Sequence, residues 1–490
     1  MGILTTPAPG PRPEVGHRDG PTPRHEQIAG YLAIGALALV AVKPLFDIGE
    51  EKGSSGLDLG VVLTAIGAAL MIAAYGLVAL GARRLPPRPL LLVAGAVVLL
   101  LVSSAVSFLL VGSRGDLLSL FDVRRYPIYG AHLEPRSAIP AEALRLIVGF
   151  APIALLGLMV MRRSLLTSRR LVLVTGVILL GAIVHCVLAW LQVAGVIPYS
   201  FYFELANWEK IGRASGGYYH PMSLGRLLIF SVFLIYVLGD RLRLSAAVRY
   251  ALIGLFVATG AVSLHRFTIL CLIVIVAAFE ARRVRGLVAG RRAGGRVDRR
   301  SALLGGGAVV AVAAVAGGLW GGAIWERVRV ALTEVGSLDV RSDTFMHGRG
   351  AIWNDVADIL GRSSADVWLF GFGYEPWDMH NDLIRIMVIW GITGLVLIGA
   401  ILVGVYRLAR VQVGPSGRLP LLVLFATLLI FGLTQKPLGY PYFLWLFFLG
   451  MLAVLAVDSE TDDAATDDGS RAELPVRADD SDPVAAGGPT

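Results

Sequence analysis

The stretch GYEPWDMHNDLIRIMVIWGITGLVL, from Gly373 to Leu397, changes character halfway. Its first half is a polar, aromatic loop carrying Glu375, Asp378 and His380. Its second half is an apolar helix that opens at Asn381 and Asp382 and continues past Leu397 to about residue 406. Such a run has the length needed to cross the ~30 Å hydrocarbon layer of a bilayer. If this segment crosses a membrane, so do the others like it, and the fold follows from counting them.

The composition agrees with that reading. Of 490 residues, 56% are hydrophobic and only 16% are charged, against roughly a quarter charged in soluble domains. Mean hydropathy is +0.70. Twelve spans are predicted, at 27–46, 60–81, 90–111, 141–161, 171–196, 221–238, 250–264, 267–280, 302–323, 383–406, 419–434 and 440–457. The predicted fold is all-α: a polytopic membrane bundle of about 12 transmembrane helices, with one large extracytoplasmic loop between spans nine and ten. Spans seven and eight are short, which suggests tilted helices or a hairpin that does not fully cross. The flanks, 1–26 and 458–490, are polar and of low complexity and are expected to be disordered cytoplasmic tails. The core transmembrane domain is 27–457, with 324–382 as the large loop. Within that loop an amphipathic helix is expected from Ile352 to Leu360.

Charge gives the orientation. With both termini cytoplasmic, the inner loops 82–88, 162–170, 239–249, 281–301 and 407–418 hold 21 Arg against two acids, Asp240 and Asp298. The opposite loops mix both signs. This is the positive-inside pattern, and it predicts a multi-pass protein of the cytoplasmic membrane whose lipids are its first partners. The net charge of +8 sits in short blocks between apolar runs, so nucleic acid is not an expected partner. Cys186 and Cys271 both lie in predicted helices and read as small buried apolar residues.

Chemistry-bearing residues collect on the outer side of this topology. His132, His220, His265, His347 and His380 fall there, with Arg213 in GRASGGYYHPMSLGR, Arg266 in VSLHRFTIL and Arg349 in MHGRGAIW. Arginine offers a permanent charge and a planar donor fork suited to phosphate oxygens, and imidazole accepts a proton near neutral pH. Several such groups at one depth suit an anionic lipid diphosphate.

Each residue also has a structural reading. Arg266 at a hairpin tip suits snorkelling to headgroups. Asn381 and Asp382 suit a helix cap, and His220–Pro221 suits a helix start. His265 and His347 read as surface residues, and His185 as a satisfied core histidine. Other chemistry finds no support. There is no Walker loop, no serine-hydrolase elbow and no zinc-like spacing, and DIGEE is not an Asp-x-Asp metal pair. No metal and no cofactor is expected.

Three pieces in this order carry a resemblance: GRASGGYYHPMSLG, SLHR, and GRGAIWNDVADIL followed by WLFGFGYEPWDMHNDLIRIMVIWGITGL. From about 90 to 455 the chain resembles the O-antigen ligase and O-antigen polymerase superfamily of bacterial envelope glycosyltransferases. The matching positions are Arg213, Gly217, His220 and Pro221; Arg266; then Arg349, Trp353, Gly371, Gly373, His380, Asn381, Gly391 and Gly394. The chain departs from the pattern where Leu264 and His265 separate Ser263 from Arg266, and where Met222 replaces the Asn that often follows His-Pro.

The resemblance implies a metal-independent, inverting glycosyl transfer on the outer face of the membrane. The donor would be a glycan on an undecaprenyl-type polyprenyl diphosphate, and the acceptor a hydroxyl of a glycan or lipid-glycan. It implies His380 as the base or acceptor-orienting group, with Arg213 and Arg266 stabilising the diphosphate. His220, Arg349, Asn381 and Trp353 are expected to bind substrate. The alternative reading is a polysaccharide or lipid-linked-sugar transporter or flippase, which would place ionisable residues at mid-depth. Arg145, Arg226 and Arg385 instead lie near the outer ends of their spans. A non-catalytic envelope scaffold is the third reading.

Overall fold

The computed structural model describes residues 23–48, 59–81, 86–122, 124–126, 134–202, 212–292, 349–433 and 435–472, with a few positions between 321 and 333. Among these residues the fold is helical throughout, with no β-strand. Backbone groups inside a bilayer find no water, so a chain this apolar satisfies them within helices.

The helices are α1 (Arg24–Phe46), α2 (Leu59–Gly81), α3 (Arg88–Leu110), α4 (Pro135–Phe150), α5 (Ile153–Met161), α6 (Ser168–Val193), α7 (Pro221–Leu238), α8 (Ala246–Val262) and α9 (Arg266–Arg292). They continue as α10 (Arg349–Gly361), α11 (Ala365–Phe370), α12 (Asp382–Gln412), α13 (Pro415–Gly432) and α14 (Pro441–Ala472). Nine candidate spans are long and apolar enough to cross a membrane among the described residues; one of them joins α4 and α5 through Pro152. They match nine of the twelve expected spans. The seventh is α8, of 17 residues, and the eighth is α9, whose apolar run ends in Glu280, Arg282 and Arg283. The ninth, 302–323, lies almost wholly outside the described residues.

The bundle closes through small residues and one central pair. α1 buries Ala29, Gly30, Ala33, Ala36, Leu37, Val40 and Ala41 on one stripe, so α2 approaches closely. α7 and the 441–458 part of α14 are largely buried and pack on each other. Leu80, Leu92, Leu109, Leu173 and Val411 stay exposed on the perimeter, as helices facing lipid require. Cys186 and Cys271 are both buried and unpaired with one another.

Contacts sort the connections between two ends. At one end Arg162 pairs with Glu26 at 2.7 Å, and Arg282 reaches the Ser416 carbonyl. There Asp458 accepts hydrogen bonds from the Gly414 amide and the Ser416 hydroxyl, capping α13. This end gathers the arginine-rich connections.

The other end carries a second, smaller apolar core. Ile352, Val356, Phe372, Trp377, Met379 and Val388 pack there with Val111, Phe121 and Ile139. The amphipathic helix expected at 352–360 is α10. α14 runs on to Ala472, into the acidic segment expected to be disordered.

Candidate functional site

The loop 371–381 reaches its position because α12 is broken. Gly391 inside that helix has φ 64° and ψ −158°, a region open essentially to glycine alone. The break frees two carbonyls. Val388 accepts from the Phe372 amide at 2.6 Å, and Ile389 from the Gly373 amide at 2.9 Å. Gly371 and Gly373 have positive φ as well, which lets the loop press against the helix backbone. Arg114 donates to the Gly371 carbonyl and to Asp366, and Ser107 donates to the Phe370 carbonyl, tying α11 and the loop to α3.

His380 sits at the end of this loop with φ 47°. Non-glycine residues pay for that conformation, and it clusters at functional sites. Its amide donates to Asp378 Oδ1 at 3.2 Å, while the ring Nδ1 lies 3.6 Å from the same oxygen. Trp353 on α10 donates to the Met379 carbonyl at 2.8 Å, and Glu375 accepts from the Met379 amide at 3.0 Å. Asn381 caps α12: its Oδ1 accepts from the Ile384 amide at 3.1 Å and its Nδ2 donates to the Leu433 carbonyl at 2.8 Å. Asn381 and Trp353, expected on the substrate, thus make bonds that hold the loop.

A buried ladder of alternating charge braces the wall behind His380. Glu142 on α4 pairs with Arg385 on α12; Arg385 meets Glu375 at 3.2 Å; Glu375 meets Lys436 at 2.9 Å; Lys436 meets Asp378 at 3.2 Å. Burial alone would raise the Asp378 carboxyl, yet Lys436 and His380 outweigh it and hold it below the usual range. Burial disfavours the Lys436 cation, but Glu375 and Asp378 hold its ammonium above the ordinary lysine value.

The opposite side is cationic. The loop 212–220 is pinned by α6: Gln192 Oε1 accepts from the Ser215 and Gly216 amides, each at 2.9 Å. His185 bonds the Pro44 and Gly216 carbonyls and stacks on Tyr218, a core histidine as expected. Arg213 on this loop donates to the Ser263 carbonyl at 3.1 Å. His220 caps α7, accepting from the Met222 amide at 3.0 Å.

His265 departs from its expected place on the surface: it is buried. Leu264 has φ 50°, and this turns the α8–α9 hairpin so that the His265 ring faces inward. Its Nδ1 meets Thr268 Oγ1 at 2.8 Å and its Nε2 lies 3.4 Å from Gln435 Nε2. Burial, then the charges of Arg213, His220, Arg349 and Arg226, hold it well below its ordinary value. Arg266 opens α9 and is half-buried.

His380 belongs to the same electrostatic neighbourhood. Burial is the larger cause, Arg349 and Lys436 add to it, Asp378 and Gln435 oppose it, and the ring falls to about 4. It is neutral at pH 7. The structure therefore brings together His380, His265, His220, Arg213 and Arg349, from four separate segments. It adds Gln435, Lys436 and Tyr440, which the sequence did not single out, and Arg226, which it marked only as a charge near a span's outer end. His132 and His347 lie outside the described residues.

The fold defines a class, an all-helical multi-pass membrane protein with a polar site at one end of its bundle. No family model matches the chain, and no curated protein matches it.

Proposed function

We propose that the chain is an integral-membrane glycosyltransferase of the O-antigen ligase or polymerase kind. It moves a glycan from a polyprenyl diphosphate to an acceptor hydroxyl, without a metal and with inversion. The reading includes a twelve-span topology with both termini cytoplasmic, the large loop between spans nine and ten, and the site facing outward. The gathering of arginines at the opposite end supports that orientation. The observation that carries the reaction is the meeting of a neutral imidazole, His380, with the cationic cluster of Arg213, Arg349 and the buried Arg226.

In this reading the acceptor oxygen attacks the anomeric carbon as the bond from that carbon to the diphosphate oxygen breaks. The bonding pair leaves with the diphosphate, and His380 takes the acceptor's proton. General-base help of this kind contributes about 10²–10⁴ in rate. Fixed guanidinium groups stabilise the charge that develops on the leaving group without reorganising. A ring near 4 is a weak base in the free protein, but a bound diphosphate would set negative charge beside it and raise its basicity.

The test is purified protein in nanodiscs with a polyprenyl-diphosphate oligosaccharide, an acceptor glycan and excess chelator. Longer chains or a new conjugate support the reading and separate polymerase from ligase. Absence of product from wild type, or product only after Mg²⁺ is restored, overturns it.

A further inference from the structure

Arg226 lies five residues into α7, about 7 Å below its first residue at 1.5 Å per residue. It is 9% exposed. Its guanidinium carbon sits 3.6 Å from the centroid of the Tyr440 ring, and that contact fixes the plane of the fork. Its Nε and Nη2 atoms are buried and have no hydrogen-bond partner among the described residues.

The nearby carboxylates do not close this gap. Tyr440 hydrogen-bonds the guanidinium, and Asp378 and Asp382 lie in its neighbourhood, but neither carboxylate makes an ion pair with it. Asp378 is held by Lys436 at 3.2 Å, and Asp382 Oδ2 accepts from the Leu438 amide at 3.0 Å. An uncompensated buried ion has an effective penalty of several kcal/mol. Arg213, Arg349 and His220 bear with Arg226 on the same ring, His265. What would answer such a fork is an anion with paired oxygens and more than one charge.

Resting on the diphosphate reading above, we propose that Arg226, braced by Tyr440, is a further substrate-binding residue that grips a phosphate of the lipid diphosphate from inside the bundle. Arg213 and Arg349 face the same anion from the loops. The planar fork is what matters, so lysine is not an adequate replacement.

Equilibrium binding of farnesyl diphosphate to purified protein in nanodiscs tests this, with inorganic pyrophosphate as a second probe. Similar affinity for both assigns recognition to the phosphates alone; tighter binding of the prenyl compound adds a lipid contact. Both outcomes support an anion site when Arg226 is needed for it. The expected result is at least a 30-fold rise in Kd for Arg226→Gln and Arg226→Lys, and a several-fold rise for Tyr440→Leu. Arg136→Gln, on the exposed face of α4, should leave Kd unchanged. Ligand-free Arg226→Gln should melt no lower than wild type, because it removes an uncompensated charge.

Wild-type Kd in Arg226→Gln and Arg226→Lys, with binding lost in Arg213→Gln, overturns the role of Arg226 and leaves the diphosphate reading standing. A lowered melting temperature with wild-type Kd makes Arg226 a structural cation and also overturns it. Wild type that binds neither probe overturns both.

Discussion

The joint between Gly371 and Gly391 is the feature most open to a single atom. A Cβ at Gly391 would lie 2.5 Å from the Leu369 carbonyl carbon and the Trp368 oxygen; one at Gly371 would lie 2.4 Å from the Ile389 carbonyl. These are backbone atoms of the opposed segment, so no side chain can rotate away. Gly391→Ala therefore carries about 1–3 kcal/mol for a backbone region that alanine disfavours. It adds about 1–3 kcal/mol of overpacking. The expected destabilisation is about 2–6 kcal/mol, with the two amide bonds to Val388 and Ile389 the first to open. Gly399→Ala is the control, because a Cβ there meets nothing within 4 Å. It should be neutral or stabilising by up to about 1 kcal/mol. Unfolding in detergent, followed by tryptophan fluorescence, reads both, since the buried Trp377 and Trp390 flank the joint. If Gly391→Ala unfolds together with Gly399→Ala and retains wild-type glycan transfer, the broken helix does not position His380.

His380→Ala should reduce glycan transfer by at least 10²-fold while protein level and melting stay near wild type; retained transfer removes its role as base. Because the His380 ring is held at about 4 against ~6.5 when unfolded, the native state binds this proton less readily. Its contribution to stability is full above pH 6.5 and is lost as pH falls toward 4. Melting temperature should drop over that interval, and His380→Gln should flatten part of the slope; an unchanged slope contradicts the burial of a neutral ring. Arg385→Ala takes from the buried Glu142 and Glu375 the cation they share, leaving them Arg145 and Lys436, and should cost about 3–5 kcal/mol in the same unfolding assay. A loss under 1 kcal/mol would show that the charge ladder does not brace the loop.

Helices were legible because their signal is long and redundant. Pro221 after His220, Asn381 before Asp382, and eleven of the twelve apolar runs each marked a helix among the described residues. The convergence of His220, Arg213, Arg349 and His380 was legible only as a common depth. What escaped was whatever depended on a turn's internal geometry. His265 read as a surface residue because the positive φ of Leu264, which turns the ring inward, leaves no mark in the string SLHR. Lys436 and Gln435 were passed over as a short turn between two spans, yet that turn supplies both the ladder's third cation-bearing contact and the amide beside His265. Arg226 was noticed as a charge near a span's end, but that its Nε and Nη2 find no partner among the described residues is a property of packing. Asn381 read both as a helix cap and as a substrate-binding residue; its bonds to Ile384 and Leu433 show the cap.

The two sides of the site differ in how charge is balanced, and that difference bears on the reaction. Behind His380, each ion from Glu142 to Asp378 has an opposite neighbour, so the wall is rigid and nearly neutral in sum. Burial, helped by Arg349 and Lys436, keeps the imidazole uncharged, and the wall holds its strained backbone in place. Around His265, the permanent charges acting most strongly on the ring are the cations Arg213, Arg349 and Arg226, and none of them stands on the ladder. Transfer from an anionic carrier needs this asymmetry: a neutral acceptor for the incoming proton on one side, and uncancelled positive potential for the departing negative charge on the other. Symmetric neutralisation would fix the loop equally well but leave the leaving group unassisted. A cationic cluster without the ladder would lack a fixed base. That pairing supports group transfer over a scaffold role, which has no use for a neutral buried imidazole beside a buried guanidinium whose Nε and Nη2 find no partner among the described residues.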